Sequence, residues 1–166
     1  SVAFTPDAEI FGDMHFKPAR LYKLARSKAY LFAGVEIRWK CAPELLSDDT
    51  PAEAVFQFPG GLADHLREQI GTREAATAEF FSGQQDFPEG QGRVEWAVAW
   101  PLWSDGSYSW YCNTIPTPDG GTHEQGLRQA LVRGMRAFGD LVGQKKAKDI
   151  TADDVMVGSE LMLSVF

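Results

Sequence analysis

The sequence predicts an α+β two-layer sandwich, in which helices cover one face of a mostly antiparallel sheet. Two segments, 35–41 and 94–100, alternate apolar and polar residues with the period of two expected of half-buried strands. Two others, 18–33 and 122–142, repeat apolar residues at helical spacing. Turn-forming residues separate such segments, as at Ser104-Asp105-Gly106. Hairpins mixed with helices are typical of this architecture.

The first half of the chain is predicted to contain two helices and two strands. Pro18 suits the first turn of a helix because its missing N–H is not needed there, and Gly34 ends that helix. A strand over 35–41 follows, and 54–58 is the strand that returns beside it. Residues 62–70 form a short second helix.

The second half adds further strands and a long helix. Residues 107–115 are predicted to run back along the strand at 94–100 as its hairpin partner. Thr122 can cap the long helix, which would extend about 30 Å at about 1.5 Å per residue. Thr151 and Asp154 have the spacing of a capping box for a brief helix. Short strands are expected at 79–81 and 161–166.

The composition is that of one soluble globular domain. The chain has 166 residues, of which 44% are hydrophobic and 23% charged. No apolar stretch is long enough to span a membrane and no signal peptide is visible, so the cytoplasm is the expected compartment. The chain starts with Ser1 rather than Met and stops at Phe166 inside an apolar run, so we expect a piece of a longer protein.

Basic residues are concentrated in one segment of an acidic chain. The net charge is -7, which argues against a general nucleic-acid-binding protein. The segment 17–40 nevertheless carries +6, which leaves -13 for the remainder. Its basic residues are Lys17, Arg20, Lys23, Arg26, Lys28, Arg38 and Lys40.

The helix predicted at 18–33 places Arg20, Lys23 and Arg26 on one side, opposite its apolar stripe. They form either an ordinary solvated face or a contact with DNA phosphates. Lys28 differs because it falls within the apolar arc. Its ammonium group either extends past the stripe to water or reaches an acidic partner. We take all four residues as candidates that face DNA.

The loop from Pro116 to Glu124 is unusual because two prolines and two glycines lead directly into a helix. Free N–H groups at a helix N-terminus attract anions, which would allow a phosphate or carboxylate contact. The alternative is a structural loop that aims the helix, with Thr122 and Glu124 satisfying those N–H groups. The candidate residues of this loop are Gly120, Gly121, Thr122 and His123.

No pattern indicates a catalytic or metal centre. Cys41 and Cys112 lie in strand-like runs and fit no zinc or disulfide framework, so buried free thiols are expected. The histidines lack ligand spacing, and no Lys-Ser/Thr pair follows a Gly-Gly pair as a Walker motif requires. We therefore predict no catalytic residue, metal or cofactor within this chain.

Several motifs along the chain point to one family. The most specific runs Ile115-Pro-Thr-Pro-Asp-Gly-Gly-Thr-His-Glu, and it continues as Gln-Gly-Leu-Arg-Gln-Ala-Leu131. Lys28 to Ile37, Phe58-Pro-Gly-Gly-Leu62 and Val94-Glu-Trp-Ala97 accompany it in order. Together they resemble the second, transducer domain of the B subunits of bacterial type IIA topoisomerases. Lys28-Ala, Gly34-Val-Glu-Ile and Ile115-Pro-Thr look more like the topoisomerase IV branch than the gyrase branch.

The resemblance implies that residues 1–166 form one transducer domain with the fold of that family. The parent enzyme passes one DNA duplex through a transient break in another, using ATP and Mg²⁺. Its ATPase site lies mainly in a preceding GHKL-type domain, and a Gln-Thr-Lys loop expected past Phe166 reaches the γ-phosphate. The transducer carries the signal of ATP binding and hydrolysis to the cleavage core, so the chain alone is expected to be inactive.

The resemblance also implies the partners. They are the A subunit of topoisomerase IV, which carries the nucleophilic tyrosine, and duplex DNA in the nucleoid of the cytoplasm, with no membrane involved. The parent B subunits dimerise through the ATPase domain, so this chain is compatible with a monomer.

Three other functions stay open. The same domain could serve gyrase B and negative supercoiling. A small-molecule enzyme with a similar sandwich would need a catalytic cluster or a phosphate loop, neither of which is found. A self-contained nucleic-acid-binding module is opposed by the net charge of -7 but supported by the basic segment.

Overall fold

A computed structural model describes all residues, Ser1–Phe166. The chain forms five helices and seven strands, joined by loops and three short 3-10 turns. In chain order they are α1 (Ala8–Phe11), α2 (Pro18–Leu31), β1 (Glu36–Lys40), β2 (Glu53–Gln57), α3 (Leu62–Ile70), β3 (Phe81–Asp86), β4 (Arg93–Ala99), β5 (Ser107–Cys112), β6 (Ile115–Pro116), α4 (Thr122–Leu141), α5 (Ala152–Met156) and β7 (Glu160–Val165). None of the helices combines the length and the apolar composition that a membrane-spanning helix requires.

The main sheet has five strands in the order β3-β4-β7-β5-β6. All neighbours are antiparallel except β5 and β7, which run parallel with Ser107 opposite Glu160. The predicted hairpin between 94–100 and 107–115 is therefore wrong, because β7 lies between β4 and β5. β7 carries the apolar run Leu161-Met-Leu163, with every residue from 160 to 164 buried, and such continuous runs are typical of central strands.

Buried side chains lie on both faces of this sheet. Ala97, Ala99 and Met162 join one core with α2, α3 and β2. Leu161 and Leu163, which alternate with Met162, join a second core with α4 and α5. The predicted α+β class with a mostly antiparallel sheet is confirmed. The structure differs in one respect: helices cover both faces rather than one, because β7 is apolar on both sides.

The hairpin of β1 and β2 forms a separate two-stranded sheet beneath α2. Tyr22 of α2 meets Trp39 and Phe56 edge to face, with ring centroids 5.7 and 5.0 Å away. α2 ends at Leu31, three residues before Gly34, because the backbone of Phe32 leaves the helical region at φ -121° and ψ 81°. The two predicted strands are confirmed. β1 is shorter by one residue at each end than the predicted 35–41, and β2 begins and ends one residue earlier than the predicted 54–58.

Two local predictions have different outcomes. The capping box of α5 is present, with the Thr151 and Asp154 side chains each accepting the other's backbone N–H. The pKa of Asp154 is lowered by a hydrogen bond from the Thr151 hydroxyl to its carboxylate, and next by the bond from the Thr151 backbone N–H. Burial of the cysteines is not observed, since Cys41 is half-buried and Cys112 is exposed. Cys112 is exposed because it is the last residue of β5, beside the turn at Asn113.

Candidate functional site

The basic face of α2 has two free members. Arg20 and Lys23 are exposed, and neither forms an ion pair. Helical spacing places both on the outer side of α2, where long side chains can reach a polyanion. The charges of these two side chains are therefore not neutralised within the protein.

The other two candidates on α2 are engaged within the protein. Arg26 donates to the carboxylate of Glu68 at 2.7 Å, which ties α2 to α3. The Lys28 ammonium donates to the carbonyl oxygen of Thr114 at 2.9 Å and to its hydroxyl at 2.6 Å. Lys28 thus reaches a partner, but the partner is neutral and not acidic. Both residues position α2 instead of offering charge to solvent.

Internal pairing reduces the positive field of the whole segment. Arg38 pairs with Glu36 at 2.6 Å, and Lys40 of β1 pairs with Glu53 of β2 at 3.0 Å. Exposed pairs of this kind stabilise little, but they cancel charge locally. Three basic residues of the segment therefore remain exposed without an ion pair, and all three lie at the start of α2: Lys17, Arg20 and Lys23.

The glycine loop before α4 is held by its own side chains. His123 Nε2 and the Thr117 hydroxyl form a hydrogen bond of 3.0 Å, and the His123 ring meets Trp110 edge to face at 6.3 Å. Arg128 donates to the carboxylate of Glu124 at 2.8 Å, one helical turn earlier. These contacts fix where α4 begins.

The structural interpretation of this loop is favoured over an anion site. Gly120 has φ +72°, which favours glycine, and a side chain there would collide with the Glu124 carboxylate. The Glu124 carboxylate therefore lies against the loop at Gly120, and its negative charge disfavours a second anion there. Gly121 is the N-cap, and Thr122 does not cap the helix, which corrects the expectation from sequence.

A large apolar groove lies between α4 and the sheet. Its volume is about 730 Å³, and twelve of its fifteen lining residues are hydrophobic. The apolar stripe predicted on α4 lines this groove, but only its first half packs closely. Leu131 is buried, whereas Met135 is 37% and Phe138 63% exposed. The remaining walls include Trp96, Trp100 and Leu163 of the sheet side.

A buried aromatic cluster joins α2, α3 and β5. The hydroxyl groups of Tyr30 and Tyr111 are 2.7 Å apart, and the His65 ring stacks on Tyr30 with centroids 4.0 Å apart. His65 Nδ1 is buried with no hydrogen-bond partner. Burial, followed by the nearby charge of Arg26, lowers the pKa of His65 to about 4. Burial also raises the pKa of Tyr30.

A second polar network joins α3 to the main sheet. Glu160 of β7 is buried and accepts from two guanidinium nitrogens of Arg73 at 2.5 and 2.9 Å. The Ser104 hydroxyl also donates to Glu160 at 2.8 Å. The bond from Arg73 is the largest influence, and it lowers the pKa of Glu160. These groups are mutually satisfied, which is typical of a structural ion pair.

The described residues do not fit a nucleotide or a metal. No group of three or more His, Cys, Asp or Glu side chains could hold a metal ion. The groove has one titratable lining residue, His123, whereas phosphates require several converging donors.

Sequence reasoning did not identify the groove or the buried histidine. The signal for His65 was present, since it follows Leu62 by three residues and precedes Ile70 by five on the buried face of α3. The apolar stripe of α4 is visible in the sequence, but a stripe predicts an apolar face and does not show what covers it.

Comparison with known proteins gives consistent similarities. The sequence profile of the family described as DNA gyrase B matches residues 61–166. The chain is 51% identical to the B subunit of DNA topoisomerase 4 from Caulobacter vibrioides and 52% identical to that from Bartonella bacilliformis. Each match covers 99% of the chain and 24% of the relative, so the chain spans about a quarter of the length of these relatives.

A solved structure is also similar. It is the 43K ATPase domain of Thermus thermophilus gyrase B in complex with an aminocoumarin, with a TM-score of 0.77 and 27% identity. The match covers 98% of this chain and 43% of that chain.

Proposed function

Because the chain belongs to the DNA gyrase B family of type IIA topoisomerase B subunits, we propose that it is the transducer module of a topoisomerase IV B subunit. In this role the module relays ATP binding and hydrolysis to DNA strand passage, which unlinks and relaxes chromosomal DNA. The observation that carries the proposal is the similarity to topoisomerase IV B subunits along 99% of the chain.

Contacts between elements support a mechanical role. Arg26 joins α2 to α3 through Glu68, and Lys28 joins α2 to the β5–β6 turn through Thr114. A displacement of α2 would therefore move α3 and the main sheet with it, as a rigid-body transition requires. α4 adds a stiff rod of 20 residues, about 30 Å long.

The remaining parts of the activity belong to the parent protein. ATP and Mg²⁺ are bound outside this chain, and the chain alone does not hydrolyse ATP. The A subunit and duplex DNA are the partners of the parent, which acts at the nucleoid in the cytoplasm. The parent dimerises through its ATPase domain, and this chain alone is a monomer.

Purified full-length B subunit with its A subunit tests the function. We expect ATP-dependent unlinking of interlocked DNA circles and relaxation of supercoiled plasmid. ATP-dependent introduction of negative supercoils into relaxed plasmid would instead assign the module to gyrase. ATP turnover by the isolated chain would contradict the transducer assignment.

The DNA-facing role of α2 has its own test in the same assembled enzyme. The double variant Arg20→Glu with Lys23→Glu reverses the two free charges. A plot of log DNA affinity against log salt concentration should then become less steep, with the magnitude of its slope lower by about 2. A matched control is Lys145→Glu with Lys146→Glu, two exposed residues outside the basic segment that form no ion pair. Equal slopes for the two double variants would show that Arg20 and Lys23 do not contact DNA phosphates.

A further inference from the structure

Trp103 is presented to solvent in an unusual conformation. It lies in the loop between β4 and β5, its side chain is fully exposed, and its φ is +60°. A bulky residue in the left-handed region is strained, and glycine would adopt this conformation freely. Neither burial nor backbone preference therefore accounts for a tryptophan at this position.

The loop is held by contacts that do not involve the Trp103 side chain. The N–H of Leu102 donates to the carbonyl oxygen of Glu74 at 2.8 Å, and the N–H of Ala76 donates to that of Trp100 at 2.8 Å. The Ser104 hydroxyl donates to Glu160 at 2.8 Å. Backbone strain that the surrounding structure maintains is typical of functional positions. The backbone on either side of Trp103 is thus held in place, so a partner would have to order only the indole.

The surroundings of Trp103 select the kind of partner. Leu102 beside it is 43% exposed, and both Glu74 and Asp105 are exposed and lack an ion pair. Two unpaired carboxylates repel DNA phosphates and anionic lipid headgroups. They favour a protein surface in which lysine or arginine residues surround an apolar slot. Tryptophan is also the residue most enriched among the anchors of protein interfaces.

The position of Trp103 suits the output side of a relay. Its loop adjoins the first residue of β7, Glu160, whereas Lys28 holds the other end of the sheet at Thr114. Six strand residues, about 20 Å, separate the two ends. A displacement received by α2 would therefore reach Trp103 through the hydrogen-bonded length of β5 and β7.

We propose that Trp103 is an anchor that docks into a basic-rimmed apolar slot on the DNA-cleaving A subunit. This inference rests on the proposed function, because it takes the A subunit as the part that the relay drives. The bound state buries the indole and brings Glu74 and Asp105 opposite basic side chains.

The test uses full-length B subunit with the A subunit and a non-hydrolysable ATP analogue. Hydroxyl-radical oxidation of Trp103, read by mass spectrometry, should slow by about tenfold on addition of the A subunit without DNA. Trp103→Ala should slow ATP-driven unlinking by about tenfold or more, and Trp103→Phe should retain most of the rate. Leu45→Ala, a residue 62% exposed elsewhere on the surface, should match wild type.

Three results would overturn the inference. They are an unchanged oxidation rate in the assembled enzyme, protection by duplex DNA alone, or equal unlinking rates for Trp103→Ala and Leu45→Ala. Melting temperatures within a few degrees of wild type would show that Trp103→Ala still folds, as expected for a side chain with no contacts. Absence of ATP-driven unlinking by wild type would refute the proposed function itself, whereas wild-type activity with an unprotected Trp103 would refute only the anchor.

Discussion

Acidification should destabilise the chain through His65. Its ring is 8% exposed and stacked on Tyr30, and its pKa is lowered to about 4 from an ordinary value of 6.5. The folded state therefore holds the neutral ring, while the unfolded chain takes up a proton below pH 6.5. Stability is present above that pH and is lost as the pH falls towards 4. The linkage predicts a loss of about 2 kcal/mol at pH 5 and about 3 kcal/mol at pH 4.

Replacement of the titrating ring isolates this contribution. His65→Phe keeps an aromatic ring against Tyr30 and removes the buried Nδ1 that has no partner, so its stability at pH 7 should equal or exceed that of wild type. Between pH 7 and pH 5, the free energy of unfolding of His65→Phe should fall by about 2 kcal/mol less than that of wild type. His15→Gln, at an exposed histidine, is the control and should follow wild type.

Urea unfolding at pH 7, 6 and 5, followed by tryptophan fluorescence, measures these differences. Carboxylates with lowered pKa values, such as Glu160, contribute equally to all three proteins and cancel in the comparison. Parallel curves for wild type and His65→Phe would refute the reasoning, because they would mean that the buried ring titrates at its ordinary pH.

Further substitutions test individual contacts by urea unfolding at pH 7. Lys28→Met leaves the carbonyl and hydroxyl oxygens of Thr114 without their donor and should lower the free energy of unfolding by about 1–3 kcal/mol. Lys23→Met, on the exposed side of α2, should change the free energy of unfolding by less than about 0.5 kcal/mol. Glu160→Gln should cost about 2 kcal/mol because it weakens charge-assisted bonds at a buried site. Gly120→Ala should cost about 1–2 kcal/mol or more, while Gly126→Ala, with open space around it, should be neutral or stabilising.

Local patterns in the sequence predicted most elements but not their arrangement. The alternation at 94–100 and the capping box at Thr151 depend on neighbouring residues, so both are readable from sequence. The placement of β7 between β4 and β5 depends on pairings across more than fifty residues, which no local pattern specifies. The hairpin expectation failed because a turn motif fixes a reversal of direction and not the identity of the neighbouring strand.

The candidate site shows the same limit. Lys28 stood out because it interrupts an apolar arc, yet its partner Thr114 lies 86 residues away along the chain. Arg26 looked equivalent to Arg20 on a helical projection, but α3 brings Glu68 against Arg26 alone. Periodicity gives the side of a helix on which a charge lies, and tertiary packing decides whether that charge is neutralised.

The central place of β7 has a consequence for biosynthesis. A ribosome that has released residues up to 159 has produced both flanking strands, but the gap between β4 and β5 is still empty. Until Glu160–Val165 emerges from the exit tunnel, two rows of backbone donors and acceptors have no partner and are open to pairing with other nascent chains. Translation stalled in this interval would therefore leave the polypeptide at its most aggregation-prone, and chaperone protection would matter most there.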